Sequence, residues 1–195
     1  MAKKSTRNTR GRIVSAAWKL FYEQGYEDTT VEEIIELSGT SKGSFYHYFD
    51  GKDALLSTLS SLFDEKYEEL TGLLTPEMTA MEQLLFLNRE LFHMIEDSIS
   101  LDLLARLLST QLTTSGEKHL LDHNRIYYKL LRRIIARGQE KGELDSKSSV
   151  SEMVKLYALA ERALMYDWCL CGGEYSLRKY SADIMPGFLS SFLPK

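Results

Sequence analysis

Residues 29–56 read TTVEEIIELSGTSKGSFYHYFDGKDALL and hold the clearest local signals in the chain. Thr30 and Glu33 have the spacing of a capping box, which starts a short helix. Gly39 can take the positive φ that ends this helix, and Ser41 can cap the next one. Two short helices joined by a tight glycine turn predict a helix-turn-helix.

Helical periodicity continues on both sides of this motif. Apolar residues at 13, 17, 20 and 21 predict a first helix over about residues 9–24, ended by Gly25. Downstream, helices are predicted at about 51–74, 77–97, 101–112, 117–141, 150–170 (after a second capping box, Ser149 and Glu152) and 176–192, the last containing Pro186. No segment alternates like a strand. The predicted fold is all-α, an N-terminal three-helix bundle with the helix-turn-helix followed by a larger C-terminal helical domain.

The second helix of the motif exposes side chains that suit DNA. If Phe45 and Phe49 face the core, the first turn presents a lysine, a glycine and a hydroxyl, flanked by tyrosines and a histidine. A recognition helix contacts base edges with its N-terminal residues, whereas hydroxyls and helix starts bind phosphates. The candidate DNA-binding residues are Arg10, Thr30, Thr40, Ser41, Lys42, Gly43, Ser44, Tyr46, His47, Tyr48 and Lys52.

The charge distribution supports a polyanionic partner. The net charge is −4, yet residues 1–22 carry six basic residues and no acidic one. Residues 1–52 hold 8 basic and 7 acidic residues, a balance of +1, whereas residues 53–195 hold 16 and 21, a balance of −5. A basic arm on an acidic body suits nucleic acid, although a solvated tail is the alternative.

The stretch 29–56, with SKGSFYHYF at 41–49, IVSAAWKLF at 13–21 and Gly25-Tyr26, closely resembles the DNA-binding region of the tetracycline-repressor-like (TetR) family of transcriptional regulators. The resemblance covers residues 9–56. It departs from the family pattern at Asp50-Gly51, where a basic or small polar pair is common, and at Thr40, where valine is usual. The resemblance implies a variable effector-binding domain whose last two long helices pair with those of a second copy.

Two domains are therefore expected. Residues 1–50 form a DNA-binding domain, of which residues 1–8 are a basic arm, and residues 51–195 form an effector-binding and dimerisation domain. A homodimer is predicted to bind a pseudo-palindromic double-stranded operator. The expected dimer interface consists of Leu156, Leu159, Ala163, Phe188, Leu189 and Phe192.

An effector pocket needs apolar walls and a few convergent polar groups. The candidates are Leu84, Arg89, His93, Tyr127 and Leu131, although the aromatic stripe also suits a core and the line Arg89, His93, Asp97 also suits a solvated face. His119 and His123 lie four apart on a predicted helix, but no third ligand is evident. No metal site and no cofactor are predicted.

The remaining features point to an ordinary intracellular protein. The apolar runs are far shorter than the roughly 18 residues that span a bilayer, and a cytoplasmic location without membrane attachment is expected. Cys169 and Cys171 lie two apart and are predicted to be buried free thiols.

No catalytic motif of a known kind is present, so an enzyme is not expected. The leading hypothesis is a sequence-specific dimeric repressor that a small molecule of unknown identity releases from DNA. A DNA-bound activator or protein-partnered regulator without an inducer is the first alternative. An all-α hydrolase or lipid-binding protein is the second.

Overall fold

The computed structural model describes residues 2–113 and 118–194, with the side chains of residues 9–113 and 118–194. The helices are α1 Ala2–Glu23, α2 Val31–Ser38, α3 Lys42–Tyr48, α4 Lys52–Leu56, α5 Leu59–Thr71, α6 Ala80–Ser98, α7 Leu101–Thr113, α8 Ile126–Glu140, α9 Val150–Leu170 and α10 Leu177–Leu189, with 3₁₀ turns at His119–Leu121 and Ser190–Phe192. The described residues contain no β-strand, so the all-α prediction is confirmed.

The first three helices form a small bundle around buried apolar side chains of each helix, chiefly Ile13, Phe21, Ile34 and Phe45. The predicted local signals are all present. The capping box of Thr30 begins α2, Gly39 ends it at a φ of 58°, and Ser41 caps α3 by accepting from the amide of Ser44. The predicted helix-turn-helix is confirmed.

Helix α1 begins earlier than residue 9, since the backbone is helical from Ala2. The side chains of the predicted basic arm, residues 1–8, lie outside the described residues, and the arm's suitability for a polyanionic partner stays a prediction.

The prediction of a single helix over residues 51–74 is wrong, because the helix is interrupted at residues 57 and 58, between α4 and α5. At the break, the hydroxyl of Thr58 donates to the carbonyl of Leu55 at 2.6 Å and accepts from Trp18 Nε1 at 2.8 Å. Ser57 likewise donates to the carbonyl of Ala54. Hydroxyls that bond nearby carbonyls compete with the helical ladder, which explains the interruption.

The helix predicted over residues 117–141 begins later, at Ile126. Asp122 accepts from the amide of Asn124 at 2.8 Å, an Asx turn that replaces helix at this point. His119 therefore lies in a 3₁₀ turn and His123 in the loop after it, so the two do not share a helix. The described residues hold no group of three side chains suited to a metal.

Helices α5, α6, α8, α9 and α10 surround the larger core. The capping box at Ser149 begins α9, as predicted, and a third box at Thr79 begins α6. Helix α10 keeps Pro186 inside it and ends at Leu189. None of the described helices is long and apolar enough to cross a bilayer.

Both cysteines are free, but the prediction that both are buried is wrong. Cys169 is half-buried on α9, whereas Cys171 is exposed because it lies just beyond the end of that helix.

Candidate nucleic-acid interface and core cavity

Helix α3 turns its polar residues away from the protein. Phe45 is fully buried, whereas Lys42, Gly43, Tyr46 and His47 are exposed. The helix therefore exposes an ammonium group, the backbone at Gly43, a phenol and an imidazole to solvent, as the sequence predicted.

Hydroxyls hold the start of this helix in place. Ser41 accepts from the amide of Ser44 at 3.1 Å, and their two hydroxyls lie 2.9 Å apart. Thr40 is half-buried and bonds the Ser38 hydroxyl at 2.8 Å, and Tyr48 is also half-buried. Ser41 and Ser44 therefore support the first turn of α3, and all four side chains stay candidates for contact with DNA.

Nothing in the fold requires a glycine at position 43. A β-carbon built there would meet only the hydroxyl of Ser41, at 4.0 Å. The open space faces outward at the exposed first turn of α3, where a duplex would approach.

The charged groups near α3 are held weakly. Lys42 Nζ lies 3.5 Å from Glu32 Oε1, and both side chains are mostly exposed. Arg10 is exposed and lies over the ring of Phe49, 5.5 Å from its centroid. Thr30 is exposed at the start of α2, with its hydroxyl engaged in the capping box. A phosphate or a base edge can replace the exposed Lys42–Glu32 pair at little cost.

Lys52 corrects one of the predictions. Its ammonium donates to the carbonyls of Tyr26 at 2.6 Å, Thr29 at 2.9 Å and Glu27 at 3.3 Å. An ammonium has three N–H groups, and all of them are used. Lys52 closes the turn between α1 and α2 and is not available to a phosphate.

Arg12 has a structural role that sequence reasoning missed. Its guanidinium donates to the carbonyls of Ser38 and Gly39, at the C-terminus of α2. A β-carbon at Gly39 would meet Arg12 Nη2 at 2.8 Å. The arginine joins α1 to the turn of the motif, which the local pattern around either residue does not reveal.

A cluster around Tyr26 joins helices α1 to α3, called the head below, to the rest of the chain. The Tyr26 hydroxyl donates to Asp53, and its ring lies 4.3 Å from Lys52 Nζ and 4.8 Å from Arg106 Cζ. Arg106, on α7, also pairs with Glu27 at 2.5 Å. Helix α7 therefore contacts the turn that precedes the helix-turn-helix.

A cavity of about 30 Å³ lies in the C-terminal core between α5, α6, α8 and α9. Its wall is mainly apolar and aromatic, and three of its side chains, Arg125, Glu161 and Arg162, are ionisable. The other lining residues are Phe63, Tyr67, Leu91, Leu120, Tyr127, Ala158 and Met165.

Glu161 is the exceptional member of this wall. Its side chain is only 2% exposed, and it accepts from Tyr127 at 2.7 Å, from Asn88 at 3.0 Å and from Tyr67 at 3.4 Å. Burial raises the pKa of its carboxyl above the ordinary value, while these hydrogen bonds act in the opposite direction. Burial also raises the pKa of Tyr67 and Tyr127, reinforced by the neighbouring negative charge.

The cavity brings together only part of the predicted effector set. Tyr127 lines it, and Leu84 and Leu131 are fully buried core residues. Arg89 lines a separate open groove of about 570 Å³ between α6 and α10. His93 lies on the surface, paired with Asp97 at 2.7 Å. His93 therefore lies on a solvated face of α6 and does not line the cavity, because its partner Asp97 is one helical turn away on the same exposed face.

Helix α9 has an apolar stripe with heptad spacing, of which Leu156, Leu159, Ala163 and Leu170 are exposed and Tyr166 is half-buried. Leu156 and Leu159 are 41% and 52% exposed and lie about one turn apart on the same face of the helix, so they form part of a continuous apolar patch. On α10, Tyr180 and Ile184 are also exposed and Phe188 is half-buried.

Leu189 and Phe192 correct the predicted dimer interface. Both are buried in the core of their own chain, at 0% and 1% exposure. A second copy would find almost no surface of either residue to cover.

A helix-turn-helix with an exposed polar recognition helix, joined to a helical domain with a core cavity, defines a DNA-binding regulator. The model for bacterial regulatory proteins of the tetR family matches residues 13–59. The HTH-type transcriptional repressor AcnR of Corynebacterium efficiens is 30% identical over 154 residues, which cover 77% of this chain and 76% of that protein. The chain belongs to the TetR family of transcriptional regulators, and it is not an enzyme.

Other similarities extend over different parts of the chain. A transcriptional regulator of Lactococcus lactis subsp. lactis is 39% identical over 56 residues, which are 28% of this chain and 29% of that protein. The structure of FadR from Thermus thermophilus, a TetR-family repressor in complex with lauroyl-CoA, superposes with a TM-score of 0.75 at 25% identity. That superposition covers 95% of this chain and 96% of FadR.

Proposed function

We propose that this regulator is a homodimeric repressor that binds a pseudo-palindromic operator and leaves it when a small molecule occupies the C-terminal core. The observation that carries the proposal is the exposed first turn of α3. Lys42 and Gly43 face solvent there; Lys42 forms a weak exposed pair with Glu32, and nothing in the fold requires a glycine at position 43. Lysine at this position of a recognition helix can donate to the N7 and O6 atoms of guanine.

The exposed stripe on α9 supports the dimer. Residues spaced alternately three and four apart form the seam of packed helix pairs, and a leucine-rich seam in water favours association. We propose Leu156, Leu159, Ala163 and Phe188 as interface residues, together with Tyr180 and Ile184. Two recognition helices in one dimer would enter successive major grooves about 34 Å apart.

The core cavity supports an effector, since FadR of Thermus thermophilus binds lauroyl-CoA within the same fold. The cavity of this chain has room for about one or two water molecules. An effector must therefore favour an arrangement in which α5, α8 and α9 lie further apart. A ligand that binds one arrangement better than the other shifts the population between them.

The cluster at Tyr26 gives this shift a route to the DNA-binding head. Helix α9 contacts α7, where Tyr166 donates to the carbonyl of Leu108 at 2.9 Å. Arg106 on the same helix pairs with Glu27. A displacement of α7 would move the head and change the separation of the two recognition helices.

The small size of the cavity favours a second candidate, a regulator of the same fold that needs no small-molecule inducer. One experiment tests DNA recognition and the direction of regulation, which both candidates share as open questions. Duplexes are selected from a random pool with the full chain, and a selected site is placed at a reporter promoter. Inverted repeats and lowered transcription support a dimeric repressor. Raised transcription supports an activator, and unrelated selected sequences would contradict specific binding.

A further inference from the structure

We propose that the cavity beside Glu161 is a receptor for an organic cation, a protonated amine or quaternary ammonium group on an apolar body, held by the Glu161 carboxylate and the rings of Tyr67 and Tyr127. The inference rests on the proposed effector function and names the chemical class of the effector.

Glu161 is a buried carboxyl group beside which the described residues place no bonded cation. A buried carboxylate is costly unless a cation accompanies it. Every hydrogen-bond partner of Glu161 among the described residues is neutral: Asn88, Tyr127, Tyr157 and Tyr67. No ion pair to Glu161 occurs in the described part of the chain.

The two arginines of the cavity wall do not fill this role. Arg125 pairs with Asp64 at 3.0 Å and donates to the carbonyl of Ser60 at 3.0 Å, so its charge is already balanced. Arg162 is half-buried and donates to the Tyr128 hydroxyl at 3.3 Å. Both arginines therefore bond partners other than Glu161, and a cation that binds beside Glu161 from outside the chain would favour the ionised form of its carboxyl group.

An aromatic surface lies next to the Glu161 carboxyl group. The rings of Tyr67 and Tyr127 lie 4.9 Å apart at a tilt of 39°, and Tyr128 continues the wall 4.8 Å from Tyr127. Arg125 Cζ already lies 5.9 Å from the centre of the Tyr127 ring. Aromatic rings attract cations through their quadrupole, and several rings beside a carboxylate are typical of ammonium recognition.

The remainder of the cavity wall is largely apolar. Phe63, Leu91, Leu120 and Met165 are apolar, so they suit the hydrocarbon part of an amphiphilic ligand. A free inorganic cation would leave this surface unused. The ligand class is therefore a cation with an apolar body.

The test compares four ligands that share a ten-carbon chain and differ in the head group: decyltrimethylammonium, decanol, decanoate and decanoyl-CoA. Each is titrated below its aggregation concentration into the full chain by calorimetry. We expect decyltrimethylammonium to bind at least about tenfold more tightly than decanol. Glu161→Gln should remove this preference and leave the affinity for decanol unchanged. Glu68→Gln, which removes an exposed carboxylate from α5, should leave the preference intact.

Other outcomes overturn the inference in distinguishable ways. Equal affinity for the ammonium and the alcohol, an unchanged preference in Glu161→Gln, or no ammonium binding at all would exclude a cation receptor. Preferred binding of decanoate or decanoyl-CoA would exclude the cation class and leave an effector cavity in place. If decyltrimethylammonium binding depends on Glu161 but leaves operator affinity unchanged, the result would support the cation receptor and refute its role in releasing the operator.

Discussion

Asn88 Nδ2 donates to Glu161 Oε1 at 3.0 Å and thereby joins α6 to the centre of α9 inside the core. The same amide bonds Ser181 of α10 through its oxygen. Asn88 and Ser181 also line the open groove between α6 and α10. A chain of polar contacts therefore runs from that groove to the internal cavity, through a core that is otherwise apolar.

The raised pKa of Glu161 predicts how stability depends on pH. The folded state retains the proton at pH values where the unfolded chain, near its ordinary value of 4.5, has lost it. The free energy of unfolding of the wild type therefore falls as pH rises through this window. Glu161→Gln should remove that contribution, so its stability relative to wild type should increase from pH 4 to pH 7. Urea unfolding measures this; a pH-independent difference would contradict the prediction, and Glu68→Gln is the control.

Gly43→Ala should weaken operator binding without weakening the fold. The added methyl group meets open space in the free protein but would lie between α3 and the base edges. We expect a loss of roughly 1–3 kcal/mol in specific affinity, the size of one good base contact. Fluorescence anisotropy measures the affinity, and thermal unfolding should show no loss of stability, since alanine favours helix.

Gly39→Ala is the matched comparison for Gly43→Ala. This position has a φ of 58°, and the new β-carbon would approach Arg12 Nη2 to 2.8 Å. The substitution should lower the unfolding temperature, because the backbone is strained and the arginine must move. Equal effects of the two alanines on stability would argue against the different roles assigned to these glycines.

Leu159→Asp should convert the proposed dimer to monomers. The carboxylate would be desolvated in the centre of the α9 stripe without a partner, and separation of the subunits avoids that cost. Sedimentation equilibrium at micromolar concentration measures the mass. Leu73→Asp, at a leucine that is 56% exposed in the turn after α5, should leave the mass unchanged. A monomeric wild type would refute the proposed interface.

Arg106→Ala should lower operator affinity a few-fold although Arg106 lies on α7, outside the helix-turn-helix. The substitution removes the pair with Glu27 and the cation beside Tyr26, so the head loses part of its fixed orientation. Ordering a freer head on DNA costs entropy. Glu27→Gln should have a similar effect, and the double variant should be no weaker than the stronger single one. Full additivity would indicate that the two residues act separately.

The sequence predicted what depends on neighbouring residues and missed what depends on distant ones. The capping boxes at Thr30 and Ser149 need only a side chain three residues away, so both are visible in the sequence. The contacts of Arg12 with Ser38 and Gly39 join residues that are 26 and 27 positions apart, and no local pattern indicates them.

The same limit applies to the candidate site. Glu161 occupies an ordinary helical position, and only the packing of three other helices reveals that its carboxylate is buried. Leu189 and Leu159 are both apolar residues at helical spacing, yet one lies in the core and the other at the surface. Periodicity identifies an apolar face without saying whether it packs within the chain or against another chain.

The three bonds of Lys52 bear on how this protein can be dissected. A fragment that stops at residue 50 would lack the ammonium, so the carbonyls of Tyr26, Glu27 and Thr29 would have to find water or new donors. It would also lack Leu55 and Leu59, which are fully buried. A head that keeps these bonds must extend to Lys52, and one that keeps the bond between Trp18 and Thr58 must extend to residue 58, so the short helix α4 belongs in the same fragment as the recognition helix.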